Sequence, residues 1–361
     1  MDRHEEQSPI ATPEGLRRFL SLQDEAVEAV VGRFDQISPA SYGTFGERGR
    51  AACREDIGYH LEFLRPALEF GILQPFVDYV RWLAVVLETR GIPAEHLTLS
   101  LDWLTEFFTA RLPGEDAEPV VVALNAARTA LRDPSNYVPP YERFMPESCG
   151  KCDAFEAALV RGDQRTTVNI FREVARHGQG FLDAELHLVQ PALYRIGRGW
   201  QDNRISVAQE HLATAMVNSL LAREFASEKP EPPNDRSVVL AGVEGNQHAV
   251  GLRIVADALE LAGWDVRYLG ADTPTRSLVQ LVRDERPNLV GLSASMPHHL
   301  RLAREAIACL RAELDEARPA VLLGGLAINQ FSPLATMLGA DATGPDARSA
   351  MEAAVQLVSS P

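Results

Sequence analysis

Glu244-Gly245-Asn246-Gln247-His248-Ala249-Val250-Gly251 decides how this chain is read. Before it lies the apolar run Ser237-Val238-Val239-Leu240-Ala241-Gly242-Val243, whose unbroken hydrophobicity marks a buried strand. After it, residues 252–261 have helix-forming composition. His248 therefore falls on a strand-to-helix loop at the C-terminal edge of a sheet, where doubly wound folds bind ligands. By itself it reads either as a metal ligand or as a residue that starts a helix. Gly251, three positions on, leaves room for another molecule to approach the backbone.

The same alternation continues from Arg236 onward. Strands are expected at residues 238–243, 265–270, 289–295 and 320–325, with a short fifth at 340–343. Helices are expected near 252–262, 275–283, 299–314, 330–338 and 347–357. Near-continuous Val and Leu runs imply a parallel sheet covered on both faces, and five strands suit a flavodoxin-like order. Small and polar residues gather at the strand ends: 246–251, Gly270-Ala271-Asp272-Thr273, Ser293-Ala294-Ser295, Gly324-Gly325 and Gly344-Pro345-Asp346. So many on one edge favour an extended ligand over turn chemistry alone. No G-x-G-x-x-G follows a strand and no P-loop is present, which argues against a dinucleotide or nucleoside triphosphate.

Residues 153–227 read as four helices joined by tight polar turns, a four-helix bundle. Two features stand out there. Trp200 is expected on a loop after Arg195-Ile196-Gly197-Arg198-Gly199, and Glu210-His211 follow on the last helix. A buried Glu–His pair can orient a polar ligand; the competing reading is an ordinary helical surface.

Residues 13–132 are helical throughout, in five to seven helices. Ile57, Leu61, Leu64 and Leu68 form one amphipathic stripe that Gly71 ends, and Pro75 opens the next helix. The many aromatics, among them Tyr59, Phe63, Phe76, Tyr79, Trp82, Trp103 and Phe108, read first as core and second as a slot for a flat conjugated ligand. His60 and His96 are the histidines placed to touch such a ligand. Residues 136–146 form an extended linker rich in proline and aromatics. Cys149-Gly150-Lys151-Cys152 has no second pair and reads as a helix start rather than a zinc site.

The composition sets limits. The chain has 361 residues, 46% hydrophobic and 24% charged, with a net charge of −15 and four cysteines. That is a globular composition with no disulfide scaffold and no general nucleic-acid surface. No run approaches the ~18 apolar residues of a membrane span. The polar start, Met1-Asp2-Arg3-His4-Glu5-Glu6, leads to an expected cytoplasmic location.

The C-terminal motifs together resemble the cobalamin-binding domain, whose hallmark is Asp/Glu-x-His-x-x-Gly, then a serine motif, then a Gly-Gly pair. Asn246-x-His248-x-x-Gly251, Ser293-x-Ser295 and Gly324-Gly325 stand in those places. The resemblance implies that His248 is the lower axial cobalt ligand. It also implies that Gly251, Ser293, Ser295, Gly324 and Gly325 line the channel for the cofactor's nucleotide tail. Asn246 stands where the family usually carries a carboxylate against the histidine, so a weaker or differently tuned cobalt bond is expected.

The bundle resembles the helical cap that precedes this domain in methyltransferases and cobalamin photoreceptors. Trp200, nine residues, then Glu210-His211 resembles the light-sensing branch, where the three shelter the adenosyl group of adenosylcobalamin. That branch usually has a histidine after the tryptophan; here it is Gln201. Its transcription regulators begin with a helix-turn-helix domain, but residues 1–145 lack a basic recognition helix, so no direct DNA contact is expected. An all-helical first domain on this module resembles photocobilins, which pair cobalamin with a linear tetrapyrrole.

The resemblance thus implies three parts. Residues 1–145 are a globin-like helical domain holding biliverdin without a covalent bond, near the linker Tyr137 to Phe144. Residues 150–228 are the cap, and residues 236–361 a Rossmann-like cobalamin-binding domain. The expected function is light sensing rather than catalysis, with output through self-association or a separate signalling partner. The rival is a corrinoid carrier subunit of a cobalamin-dependent methyltransferase.

Overall fold

A computed structural model describes residues 10–37, 39–132, 145, 147–177, 180–314, 318–331 and 333–359, with the side chains of 37–46 and 177 left aside. The polar start and the aromatic linker 137–144 lie outside these residues. The chain divides into two units, Met1–Pro139 and Pro140–Pro361.

The first unit has six helices among the described residues: α1 Pro13–Ser21, α2 Gln23–Ile37, α3 Pro39–Phe70, α4 Gln74–Glu88, α5 Ala94–Arg111 and α6 Gly114–Leu131. Thr12 caps α1 by accepting from the Gly15 amide at 2.9 Å. Gly71, at φ 70°, ends α3 in the left-handed conformation that a glycine permits. Most of the aromatics are core: Phe70, Phe76, Tyr79, Trp103 and Phe108 are buried, and Phe63 stacks on Tyr79 at 3.8 Å between centroids. Tyr59 is exposed. His60 is buried, with Nδ1 3.0 Å from the Tyr79 hydroxyl, and burial pushes its pKa down to about 4.

The second unit opens with a helical bundle: α7 Cys152–Arg161, α8 Gln164–His177, α9 Phe181–Ala184, a π segment Glu185–Val189, α10 Gln190–Gln201 and α11 Val207–Phe225. Its core includes Phe155, Phe171, Leu188, Ala192, Val217 and Leu221. One expectation needs correcting: Trp200 lies in the last turn of α10, not on a loop. Gly197 and Gly199 do not break the helix. Gly199 is there for packing, since a Cβ would lie 2.5 Å from Ile205 Cδ1. The Gly199 carbonyl then accepts from the amides of Arg204 (2.8 Å) and Ile205 (3.0 Å), which turns the chain back. Ser206 and Gln209 start α11 with a reciprocal capping box.

The α/β part follows as β1 Ser237–Val243, α12 Val250–Leu261, β2 Asp265–Thr273, α13 Thr275–Glu285, β3 Leu289–Ser293, α14 His299–Glu313, β4 Ala320–Gly324, α15 Leu326–Gln330, α16 Pro333–Met337 and α17 Ala347–Ser359. All strand pairings are parallel, in the order β2-β1-β3-β4. Helices α12 and α17 pack together, as do α13 and α14. β1 and β3, inside the sheet, are buried almost throughout, while edge strand β2 is half exposed and carries Asp265 and Arg267.

The expected fifth strand is corrected to a single parallel bridge, Leu322 to Ala342, so the described sheet has four strands. The reason is chemical. The Asp341 amide donates to the Val321 carbonyl at 2.9 Å, but the Val321 amide donates to the Asp341 side chain at 2.7 Å, which also accepts from Arg311 at 2.6 Å. A carboxylate in the place of a ladder carbonyl stops the strand from extending.

Candidate functional site

The β1–α12 loop is held from three sides. Asn246, wholly buried, accepts from the His248 amide at 3.1 Å through Oδ1 and donates Nδ2 to the Ser293 carbonyl of β3 at 2.8 Å. From β2, Asp272 accepts from the Gly245 amide at 2.7 Å and from Gln247 Nε2 at 3.2 Å, while its own amide donates to the Asn246 carbonyl at 3.0 Å. The Tyr268 hydroxyl donates to the Ala249 carbonyl at 3.1 Å. A register irregularity between Leu240 and Val243, with positive φ at Gly270 and Asp272, turns the end of β2 toward the loop.

This network fixes the backbone and leaves the His248 ring free to act. The side chain is open to solvent, yet the protein around it lowers its pKa by desolvation, which the Glu210 carboxylate of α11 partly offsets. A neutral imidazole at neutral pH is the form that binds a metal. The structure thus brings Glu210 of the bundle within electrostatic reach of His248. Asn246 does not play the part foreseen for it, because its amide clasps backbone rather than the imidazole. An ionised aspartate could not donate to the Ser293 carbonyl, whereas the amide does so at neutral pH.

The other site residues divide. Ser293 is buried and Ser295 half buried at the end of β3. Gly325 must be glycine: its φ is 101° and a Cβ would lie 2.4 Å from the Ala294 carbonyl oxygen. Gly324 meets only the Gly344 carbonyl, at 3.5 Å, and Gly251 faces open space. Of the two readings of the Glu–His pair, buried or surface, the structure shows a surface pair with Glu210 half buried. His211 is 75% exposed, with Nδ1 2.6 Å from Glu210 Oε2, and Thr214 donates to Glu210 Oε1 at 3.0 Å. Position 211 points outward because α11 packs its Ala213, Val217 and Leu221 face inward. Trp200 is half buried, and Gln201 is buried in the bundle.

Asp272, Tyr268 and the pair His298-His299 escaped sequence reading as site residues. His299 Nδ1 accepts from the Met296 amide at 3.2 Å, and the two rings meet edge to face at 4.1 Å. Burial first, then the charges of neighbouring groups including His248, pushes His298 down to about 4 and His299 to about 3. Two histidines directly after the serine motif were a signal; the backbone twist that aims Asp272 was not.

Residues 236–355 match a B12 binding domain, and residues 152–223 match a second, helical B12 binding domain. The HTH-type transcriptional repressor CarA of Myxococcus xanthus is 30% identical over 235 residues, which is 64% of this chain and 74% of that protein. Dimethylamine corrinoid protein 2 of Methanosarcina mazei is 33% identical over 121 residues, 34% of this chain and 56% of its own. The monomethylamine corrinoid protein of Methanosarcina barkeri superposes with a TM-score of 0.49 at 19% identity, over 60% of this chain and 99% of that one. A helical cap on a parallel α/β domain with this loop defines a cobalamin-binding protein. The chain belongs to the B12-binding family that includes CarA.

The residues present fit such a cofactor. Neutral His248 offers a borderline-metal ligand, and Gly251 and Gly270 leave open space at the same sheet edge. Among the described residues no three His, Cys, Asp or Glu side chains form a metal cluster of their own.

Proposed function

We propose that the protein is a light sensor that binds adenosylcobalamin, with His248 below the cobalt and Trp200, Glu210 and His211 on the adenosyl side. Ser293, Ser295, Gly251, Gly324 and Gly325 would border the nucleotide tail. The single observation that carries this reading is that Glu210 of α11 lies within electrostatic reach of His248 on the β1–α12 loop. The similarity to CarA over 235 residues, reaching beyond the cobalamin domain alone, supports it.

When bound, adenosylcobalamin supplies a light-sensitive carbon–cobalt bond. The protein's part is to hold the imidazole neutral, shield the upper face, and rearrange the α10–α11 junction when the adenosyl contacts are lost. Gln201, where the light-sensing branch usually has a histidine, is buried in the bundle. Residues 1–145 would form the globin-like bilin domain and hold biliverdin, widening the spectral response. The acidic, helical first unit would signal through self-association or a separate partner rather than by touching DNA, and the protein would work in the cytoplasm. No helix among the described residues is long and apolar enough to cross a membrane.

Absorption spectra with adenosylcobalamin, with and without biliverdin, before and after illumination, test the reading. Light-dependent spectra are expected, and spectra unchanged by light refute it. A cobalamin spectrum unaltered by His248→Ala refutes the axial assignment. The second reading, a corrinoid carrier for methyl transfer, is favoured by the similarity to the dimethylamine corrinoid proteins. It predicts methylcobalamin turnover with a methyltransferase partner and no response to light.

A further inference from the structure

The π segment Glu185–Val189 is the one irregularity in the long helical run from Phe181 to Gln201. Such segments redirect side chains and recur where a helix does more than pack. Here it points Glu185 out of the bundle toward α12, the helix that begins at the His248 loop. Around it Leu186 packs against Ile254, Ala258 and Ala347, so this contact joins the cap to the cobalamin domain.

Glu185 is wholly buried, and neither of its oxygens meets a donor from any other residue. Its partner is Asp257 of α12, 2% exposed, whose Oδ1 accepts from Arg253 Nε at 2.6 Å and whose Oδ2 likewise meets no other donor. Arg253 also lies over the Phe225 ring at the end of α11, 5.9 Å from its centroid. Two buried carboxylates and one guanidinium balance only if a proton sits between the acids.

We propose that Glu185 and Asp257 share one proton and, with Arg253 and Phe225, form a clasp that positions the cap on α12. The clasp sets the distance between the bundle and the His248 loop, so these are positioning residues for the cobalamin site. The inference does not depend on which group occupies the upper face of cobalt.

Burial, then the Asp257 charge and its hydrogen bond, raises the Glu185 pKa well above the usual carboxylate value; Asp257 is raised by burial, against the hydrogen bond from Glu185 and the pull of Arg253. Both acids are thus raised, as a pair holding one proton between them requires. The other charged and titratable groups here are engaged elsewhere or act on Asp257. Glu260 and Tyr268 are coupled to Asp257 and Arg253. Asp183 of α9 pairs with Arg348 of α17 at 2.6 Å. On α7, Cys152 Sγ lies 3.9 Å from the Leu188 carbonyl, and Asp153 and Glu156 face Arg195 of α10. His187 Nδ1 lies 3.0 Å from the Glu147 carbonyl. A raised acid favours the folded state at low pH and loses that advantage as pH rises from the ordinary carboxylate range through its folded pKa.

The test is thermal unfolding of the full cofactor-free chain from pH 6 to 9, in the wild type and in Glu185→Gln, which keeps a neutral donor to Asp257. The wild-type midpoint should fall relative to the variant by about 4 °C per pH unit until Glu185 ionises, the effect of one proton in a unit of this size. Glu185→Ala should lose stability at every pH. Asp257→Asn, which removes the neighbouring charge but not the burial of Glu185, should shorten the pH range over which the slope persists. As a check on wild type alone, carboxyl NMR should show one glutamate and one aspartate titrating together well above the usual range. Identical pH slopes in wild type and Glu185→Gln, or no such coupled titration, would overturn the clasp.

Discussion

Replacing Asn246 by aspartate tests the central loop most sharply. The two side chains have the same shape, but only the amide can donate to the Ser293 carbonyl at 2.8 Å while accepting from the His248 amide at 3.1 Å. An ionised aspartate would set a negative oxygen against that carbonyl with no exposed surface to relieve it. Losing the hydrogen bond and stranding a buried acceptor costs roughly 2–4 kcal/mol. The alternative is a protonated aspartate, which restores the donor. Holding that proton at pH 7, about three units above the ordinary aspartate value, costs about 4 kcal/mol, so both routes predict a similar loss. The variant's midpoint should therefore fall by about 6–12 °C near neutral pH. The raised acid makes the loss shrink as pH drops toward 5, where the proton is held at less cost. Differential scanning calorimetry of the cofactor-free protein at pH 5 and pH 8 measures both effects. An aspartate variant as stable as wild type at pH 8, or a loss independent of pH, would refute the clasp between Asn246 and Ser293.

Three other outcomes follow from the geometry. Gly325→Ala should destabilise by about 3 kcal/mol or more, because its Cβ meets the Ala294 backbone at a left-handed φ; Gly251→Ala, facing open space, should leave cofactor-free stability within about 0.5 kcal/mol, read by the same calorimetry. His60, neutral in the fold down to about pH 4, should cost the first unit about 3 kcal/mol as pH falls from 6.5 to 4, because the unfolded chain takes up the proton first. His60→Asn should lack that loss in denaturant titrations at the two pH values. Asp341→Ala should cost about 2 kcal/mol by stranding the Val321 amide, seen as faster hydrogen exchange at β4.

Much of the architecture was legible from the chain alone, because periodicity and punctuation are local. Unbroken apolar runs gave β1 and β3, Gly71 and Pro75 marked a helix end and the next start, and the small residues at the strand ends marked the edge where a ligand is expected. The motifs at His248, Ser293 and Gly324-Gly325 carried the resemblance to the cobalamin-binding domain, because they are short and local. What the sequence misplaced depended on groups far apart in the chain. Trp200 lies in α10, and Gly199 beside it serves a close contact with Ile205 rather than a loop, a contact no local pattern reveals. The fifth strand shrank to one bridge because the Asp341 side chain takes the hydrogen bond that a strand would use. Asn246 reads as a weakened carboxylate in sequence, but beside the Ser293 carbonyl it is the side chain of that shape that donates without having to hold a proton. The pairing of Glu185 with Asp257 lies beyond any sequence reading. It joins residues 72 positions apart, and its chemistry exists only where folding removes both acids from water.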